Sequence, residues 1–334
     1  MRKVCFMLPR ALIAVSLLAI AAMVLSSVGI PLAARQQPPA QQQEPPTIRV
    51  GVSVVNIFAT VRDKSKRIVP DLAKDDFRVF EDEKEQKVEF FSRETNLPLT
   101  FGLLMDTSGS MRNVLPVEQE MASRFLKRVL RQNDLALIFS FDQHVDMLTD
   151  FTNDHARLER AIQSAKINAP VSLGPIGNRN VAGTTLYDAI WLACKQRLAR
   201  ETGRKALVIL TDAVDEGSKT SLNEAIEVAQ RSDTVVHIIG VSDPAFYGGF
   251  GGYSGEGVAK KIAEQTGGRS IFVHNEKDLE KAFDEISEEL RTQYTLGYYP
   301  TNSARDGKFR KLKVEVRRNG LKVLARRGYY APSN

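Results

Sequence analysis

From residue 99 to residue 290 the chain alternates short apolar runs with amphipathic stretches of helical period. The runs fall at 99–105, 135–141, 207–210 and 235–241. Between the first two, Val117, Met121, Phe125 and Val129 recur at four-residue steps, as one face of a helix requires. Ser221 and Glu224 form a capping-box pattern that opens a second helix ending near Ser232. Leu279, Phe283, Ile286 and Leu290 mark a third, with Glu280, Glu285, Glu288 and Glu289 on its expected wet face. Apolar strands separated by amphipathic helices need cover on both faces. That predicts an α/β fold with a doubly wound, mostly parallel sheet.

The flanks read differently. Ile48, Val50, Val52 and Val54 alternate with other residues, and Ile57-Phe58-Ala59-Thr60-Val61 continues a strand-rich run. Residues 77–80 and 87–91 flank the charged stretch 81–86, a hairpin pattern with a polar tip. After Gln293, strand signals return at 294–299, 312–316 and 323–330, punctuated by Pro300, Asp306-Gly307 and the tight-hairpin signal Asn319-Gly320. Each flank holds too few strands to bury a core alone. Residues 47–96 and 293–332 are therefore expected to form one discontinuous β-sandwich-like module, with an α/β domain over 97–292 inserted between them.

The first 34 residues follow the order of a secretory signal: a basic start, an apolar run from Ala11 extended to Ile30, then the small residues Ala33 and Ala34. The alternative is an uncleaved anchor, since about 20 apolar residues span a bilayer. Either reading puts the body of the protein outside the cytoplasm, in the periplasm, on the cell surface or in the medium. Residues 35–46, rich in Gln and Pro, read as a spacer. The 46 basic and 40 acidic residues give a formal charge of +6, and Arg2, Lys3 and Arg10 lie in the acid-free leader. So mild a balance argues against a nucleic-acid partner. Cys5 belongs to the leader, which leaves Cys194 alone as a buried small hydrophobe. His144, His155, His237 and His274 fall in no zinc-ligand spacing.

The first apolar run leads directly into Asp106-Thr107-Ser108-Gly109-Ser110, one carboxylate and two hydroxyls on a turn at the carboxyl end of a strand. In open α/β sheets, ligands bind at that edge. Alone, Asp-x-Ser-x-Ser matches many turns and helix caps. Thr184, after Gly183 at the start of a helix, and Asp212, at the end of the strand Leu-Val-Ile-Leu-Thr-Asp, add two more oxygen donors on separate loops. Hard oxygen donors on three loops make a site for magnesium, with manganese or calcium as alternatives.

This ordered set resembles the von Willebrand factor type A domain and its metal-ion-dependent adhesion site, over about residues 97–290. The resemblance implies that Asp106, Ser108, Ser110, Thr184 and Asp212 serve the metal, the hydroxyls directly and the aspartates directly or through water. It also implies an open coordination position that accepts an Asp or Glu from a protein partner. The family often has glycine after the second aspartate, whereas Ala213 stands here. The segment Asp75-Asp76-Phe77-Arg78-Val79-Phe80-Glu81-Asp82 before the domain and Gln293-Tyr294-Thr295-Leu296-Gly297-Tyr298-Tyr299-Pro300 after it look like those of bacterial secreted proteins called VWFA-related.

Ser254 lacks the second glycine of a nucleophile elbow, because position 256 is Glu, and no Gly-x-Gly-x-x-Gly follows a strand here. The Gly-rich stretch 247–257 is expected as a loop rimming the metal edge, and 170–181 likewise. The basic residues after 309 alternate with apolar ones and read as a solvated strand face. The expected function is non-enzymatic, metal-dependent protein binding in adhesion or assembly. The alternatives are a metal-dependent hydrolase and a structural envelope module without an ion. A hydrolase would need a His, Lys or Cys beside the site, and the motifs supply none.

Overall fold

The computed structural model describes residues 54–93, 97–168, 183–241 and 255–333. The expected leader, the spacer, the alternation over 48–53, the loop 170–181 and most of the Gly-rich loop lie outside the described residues. Among the described residues four strands come first: β1 (Val55–Arg62), β2 (Phe77–Glu81), β3 (Lys84–Gln86) and β4 (Val88–Ser92). The α/β stretch then runs β5 (Leu99–Asp106), α1 (Leu115–Val129), β6 (Leu135–Phe141), β7 (Val145–Thr152), α2 (His155–Ser164), α3 (Leu186–Leu192) and β8 (Arg204–Thr211). It continues through α4 (Leu222–Arg231), β9 (Thr234–Val241), α5 (Glu256–Thr266), β10 (Ser270–Val273) and α6 (Glu276–Arg291). Four more strands follow, β11 (Tyr294–Tyr298), β12 (Phe309–Val316), β13 (Lys322–Ala325) and β14 (Gly328–Tyr330).

The central sheet has the order β10-β9-β8-β5-β6-β7. Every pairing is parallel except that of β7 with β6. Residues of α1, α2 and α6 share one apolar cluster with the sheet, and residues of α3, α4 and α5 share another. The doubly wound, mostly parallel α/β sheet is therefore present. β5 is buried at all its positions, as a strand covered on both faces must be. Its neighbours β6 and β8 lie on opposite sides of it, which makes the carboxyl end of β5 a topological switch point.

Local signals explain where the helices begin. The Ser221 hydroxyl accepts from the Glu224 N–H, and the Glu224 carboxylate accepts from the Ser221 N–H at 2.8 Å, so the capping box opens α4 at the expected residue. In α6 the apolar stripe is buried as expected, but the wet face is not uniformly wet. Glu289 is 1% exposed and accepts from Arg62 Nε at 2.8 Å and Arg269 Nη1 at 2.9 Å. Of the basic residues after 309, Lys311, Lys313, Arg317, Arg318, Lys322 and Arg327 are exposed as expected, whereas Arg310 is buried and donates to Asp306 at 2.8 Å.

The outer strands form two antiparallel sheets, β13-β1-β11-β4 and β14-β12-β2-β3. Ile57, Val61, Leu72, Val79, Tyr294, Leu296, Tyr298, Leu312 and Tyr329 lie in one apolar cluster that draws on both sheets. Buried Glu81 accepts from Tyr298 Oη at 2.6 Å and Tyr329 Oη at 2.8 Å, a polar tie across that core. Two hairpin expectations are corrected. The charged stretch 81–86 is no tip: the turn is Asp82-Glu83, with φ 45° and 70°, and Lys84–Gln86 pairs back onto β2 as β3. The chain then crosses at Lys87 into the other sheet. Asn319-Gly320 likewise joins β12 of one sheet to β13 of the other, so its turn is made but the strands it links do not pair.

Candidate metal centre

Three segments meet at the carboxyl edge of the sheet. Asp106 ends β5 and is fully buried. Its Oδ1 accepts from the Ser108 N–H at 2.9 Å, and its Oδ2 accepts from the Thr211 hydroxyl at 2.6 Å. The Thr107 N–H donates to the Phe141 carbonyl at 2.8 Å and anchors the same turn to the end of β6. Ser108 and Ser110 lie with their hydroxyl oxygens 3.0 Å apart, each 8% exposed.

Asp212 follows β8, the strand beside β5, and is 3% exposed. Its Oδ1 accepts from the Val214 N–H at 3.0 Å, and the Ala213 N–H donates to the Thr211 hydroxyl at 3.0 Å. Ala213 has φ 59°, the left-handed region that favours glycine. The alanine thus holds the conformation a glycine would, at roughly 1–2 kcal/mol of strain. Thr184 is brought to this edge by its backbone: its carbonyl accepts from Glu216 and Gly217, just past Asp212. Thr185 donates its N–H and hydroxyl to the Asp142 carbonyl, both at 2.8 Å. The loops after β6 and β8 therefore fix Thr184 from both sides, and it is 7% exposed.

The electrostatics suit a cation. Burial, together with the Asp212 charge, pushes Asp106 up to about 7, against the downward pull of its Ser108 and Thr211 hydrogen bonds. No Lys or Arg forms an ion pair with Asp106 among the described residues. Two carboxylates held together in a buried place, with hydroxyls beside them, are what a hard divalent ion would relieve. Among the described residues, no three His, Cys, Asp or Glu side chains converge as direct metal ligands. The donor set is one of hydroxyls and two aspartates, and it fits magnesium, whose shell is oxygen and usually includes water.

All five residues singled out in the sequence lie along this edge. Thr211 was not foreseen, and its only signal is its place just before Asp212. Glu118 was not foreseen either. It is fully buried in the first turn of α1, and neither carboxylate oxygen has a hydrogen-bond donor among the described residues. Burial first, then the charges of Asp106 and Asp212, raise it well above the usual carboxylate range. Its signal was present: Glu118 falls in phase with Leu115, Met121, Ala122 and Phe125, a charge in an apolar stripe.

The switch-point edge belongs to a doubly wound, mostly parallel α/β sheet with flanking antiparallel sheets. Residues 102–215 match the sequence model of the von Willebrand factor type A domain, and this chain carries such a domain. Among solved structures, the conserved hypothetical protein BatB from Bacteroides thetaiotaomicron is similar at 21% identity and a TM-score of 0.45, covering 57% of this chain and 98% of that one. The von Willebrand factor type A protein from Catenulispora acidiphila is similar at 11% identity and a TM-score of 0.46, over 78% of this chain and 74% of that one. Proximal thread matrix protein 1 from the mussel byssus, with a zinc-occupied MIDAS motif, is similar at 15% identity and a TM-score of 0.47, over 62% and 48%. No curated protein matches the chain.

Proposed function

We propose that this protein is a non-enzymatic binding protein of the VWFA-related type, acting outside the cytoplasm through one divalent cation, magnesium in the first instance. Ser108, Ser110 and Thr184 would hold the ion directly, with Asp106 and Asp212 direct or through water. When bound, the ion supplies an electrophilic position that takes up a carboxylate oxygen from an Asp or Glu of a protein partner. The chain's own residues do the remaining work. Asp106 neutralises charge from the sheet side, the Ser108 N–H and Thr211 hydroxyl aim its two oxygens, and the Asp142 carbonyl holds Thr185 so that Thr184 keeps its place. The observation that carries the reading is the pair of buried aspartates set among hydroxyls at the switch-point edge. The hydroxyl and amide donors on Asp106 orient it but do not cancel its charge. Among the described residues, no helix is long and apolar enough to cross a membrane.

Magnesium calorimetry on the wild type and Asp106→Ala tests the reading, because Asp106 is the last residue of β5 and its truncation leaves the backbone ladder of the sheet in place. Binding by the wild type and none by the variant is expected. Equal heats from both would refute the assignment. Capture of a partner from envelope extracts should succeed in magnesium and fail in EDTA.

A further inference from the structure

Glu118 is costly where it stands, and nothing in the α/β core explains it. Leu115 precedes it by three residues, Met121 and Ala122 follow by three and four, and all are buried in one cluster with Met105 and Met111. Met105 adjoins Asp106 on β5, and Met111 ends the short turn that carries Ser110. The Glu118 side chain thus leaves α1 on its sheet-facing side, one turn from the end of the helix that follows the Asp106 loop. A leucine or methionine would fill such a position without desolvating a charge. The charges that act on Glu118 are those of Asp106 and Asp212, and both of its oxygens lack a donor among the described residues. Glu118 does not converge with them as a direct ligand set.

We propose that Glu118 is a sixth residue of the cation site, an outer-sphere carboxylate that tightens ion binding by its charge and by accepting from water held on the ion. The inference rests on the metal-binding reading above and deepens it. A third carboxylate raises the charge the site demands. The site should therefore favour ions of high charge density, and a trivalent lanthanide should gain more from Glu118 than magnesium does. Outer-shell partners of metal ligands commonly contribute about 10–100-fold to affinity, which sets the expected scale.

The test uses the full chain, with magnesium and terbium as probes, in wild type, Glu118→Gln and Glu118→Asp. Glutamine keeps the volume and removes the charge; aspartate keeps the charge and shortens the arm. Glu118→Gln should lose about tenfold or more in magnesium affinity, and more in terbium affinity. Its metal-free form should melt above the wild type, because the cost of burying an acid that must be held protonated beside Asp106 and Asp212 is gone. Glu118→Asp should bind closer to the wild type than Glu118→Gln does. Magnesium affinity of Glu118→Gln within about threefold of a binding wild type overturns the inference and leaves the metal centre standing, and equal losses in the two variants do the same. A wild type that binds neither ion overturns both. Should Glu118→Gln fail to fold, as circular dichroism would show, Glu118→Asp decides: affinity within about tenfold of the wild type supports the charge role, and a larger loss overturns it.

Discussion

Gly255 shows how little room the candidate metal edge leaves for a side chain. A Cβ there would fall 2.3 Å from the Ala213 carbonyl oxygen and 2.5 Å from that of Asp212, and both are backbone atoms. Gly255 caps α5, so the first turn of that helix sits directly on the Asp212 loop. Gly255→Ala should therefore push Asp212 out of place, lowering stability by about 1–3 kcal/mol, the usual scale of overpacking. It should also weaken magnesium binding. Urea unfolding and calorimetry would read the two effects, and unchanged values in both would show that the loop yields without consequence. The five residues of the candidate site were legible because each sits close to the end of an apolar run or the start of a helix. Their supports were not. Gly255 and the Asp142 carbonyl act through backbone atoms, which no side-chain pattern marks. Glu118 was readable only as a charge in phase with the apolar stripe of α1.

Among the elements, α6 carries more than its stripe of Leu279, Phe283, Ile286 and Leu290. Glu289 joins Arg62 of β1 and Arg269 before β10, while Glu285 pairs with Arg269 at 2.9 Å. His237 of β9 is buried beside them, with Nδ1 3.6 Å from Glu289 Oε2. That proximity alone would favour the imidazolium, yet burial dominates and the Arg269 and Arg62 charges add to it, lowering His237 from 6.5 to about 4. The two arginines already balance the two glutamates, so a proton on His237 would be surplus charge. The unfolded chain therefore binds that proton more readily than the folded one, and stability falls as pH drops from 6.5 towards 4. The full effect is about 3 kcal/mol or less, at 1.36 kcal/mol for each pKa unit. Urea titrations at pH 7 and pH 4.5 should show the wild type losing more stability than His237→Gln, and parallel losses would contradict the assignment. Element types were legible where the period was strong, as in α1 and α6, and where a capping box marked the start, as in α4. Sheet membership was not. A tight turn such as Asn319-Gly320 fixes local chain reversal, but it does not decide whether the next strand pairs with its predecessor or crosses the core to another sheet.

On the scale of the whole molecule, we propose that residues 47–96 and 293–332 form one discontinuous domain that holds the α/β domain by both ends. In the described part, β1 lies between β11 and β13, and β2 between β12 and β3, so each outer sheet is assembled from both flanks. Only Thr292 and Gln293 separate α6 from β11. Gly267, with φ 88° after α5, has its Cα so close to β13 that a Cβ would meet the Arg326 nitrogen at 2.5 Å. The Arg62–Glu289 pair closes the same junction from β1. Deleting residues 300–334 removes β12, β13 and β14, and with them Leu312 and Tyr329 from the shared core. Each such side chain contributes about 1.5–3 kcal/mol by burial, and domains of this kind are stable by only about 5–15 kcal/mol. Glu81 would also lose the Tyr329 hydroxyl that satisfies it. The truncated chain should therefore be cut by protease within residues 54–93 far faster than the full chain, while the α/β fragment persists. Protection of β1 to β4 in the truncated protein would show that the N-terminal strands stand alone, and the single-module reading would then be wrong.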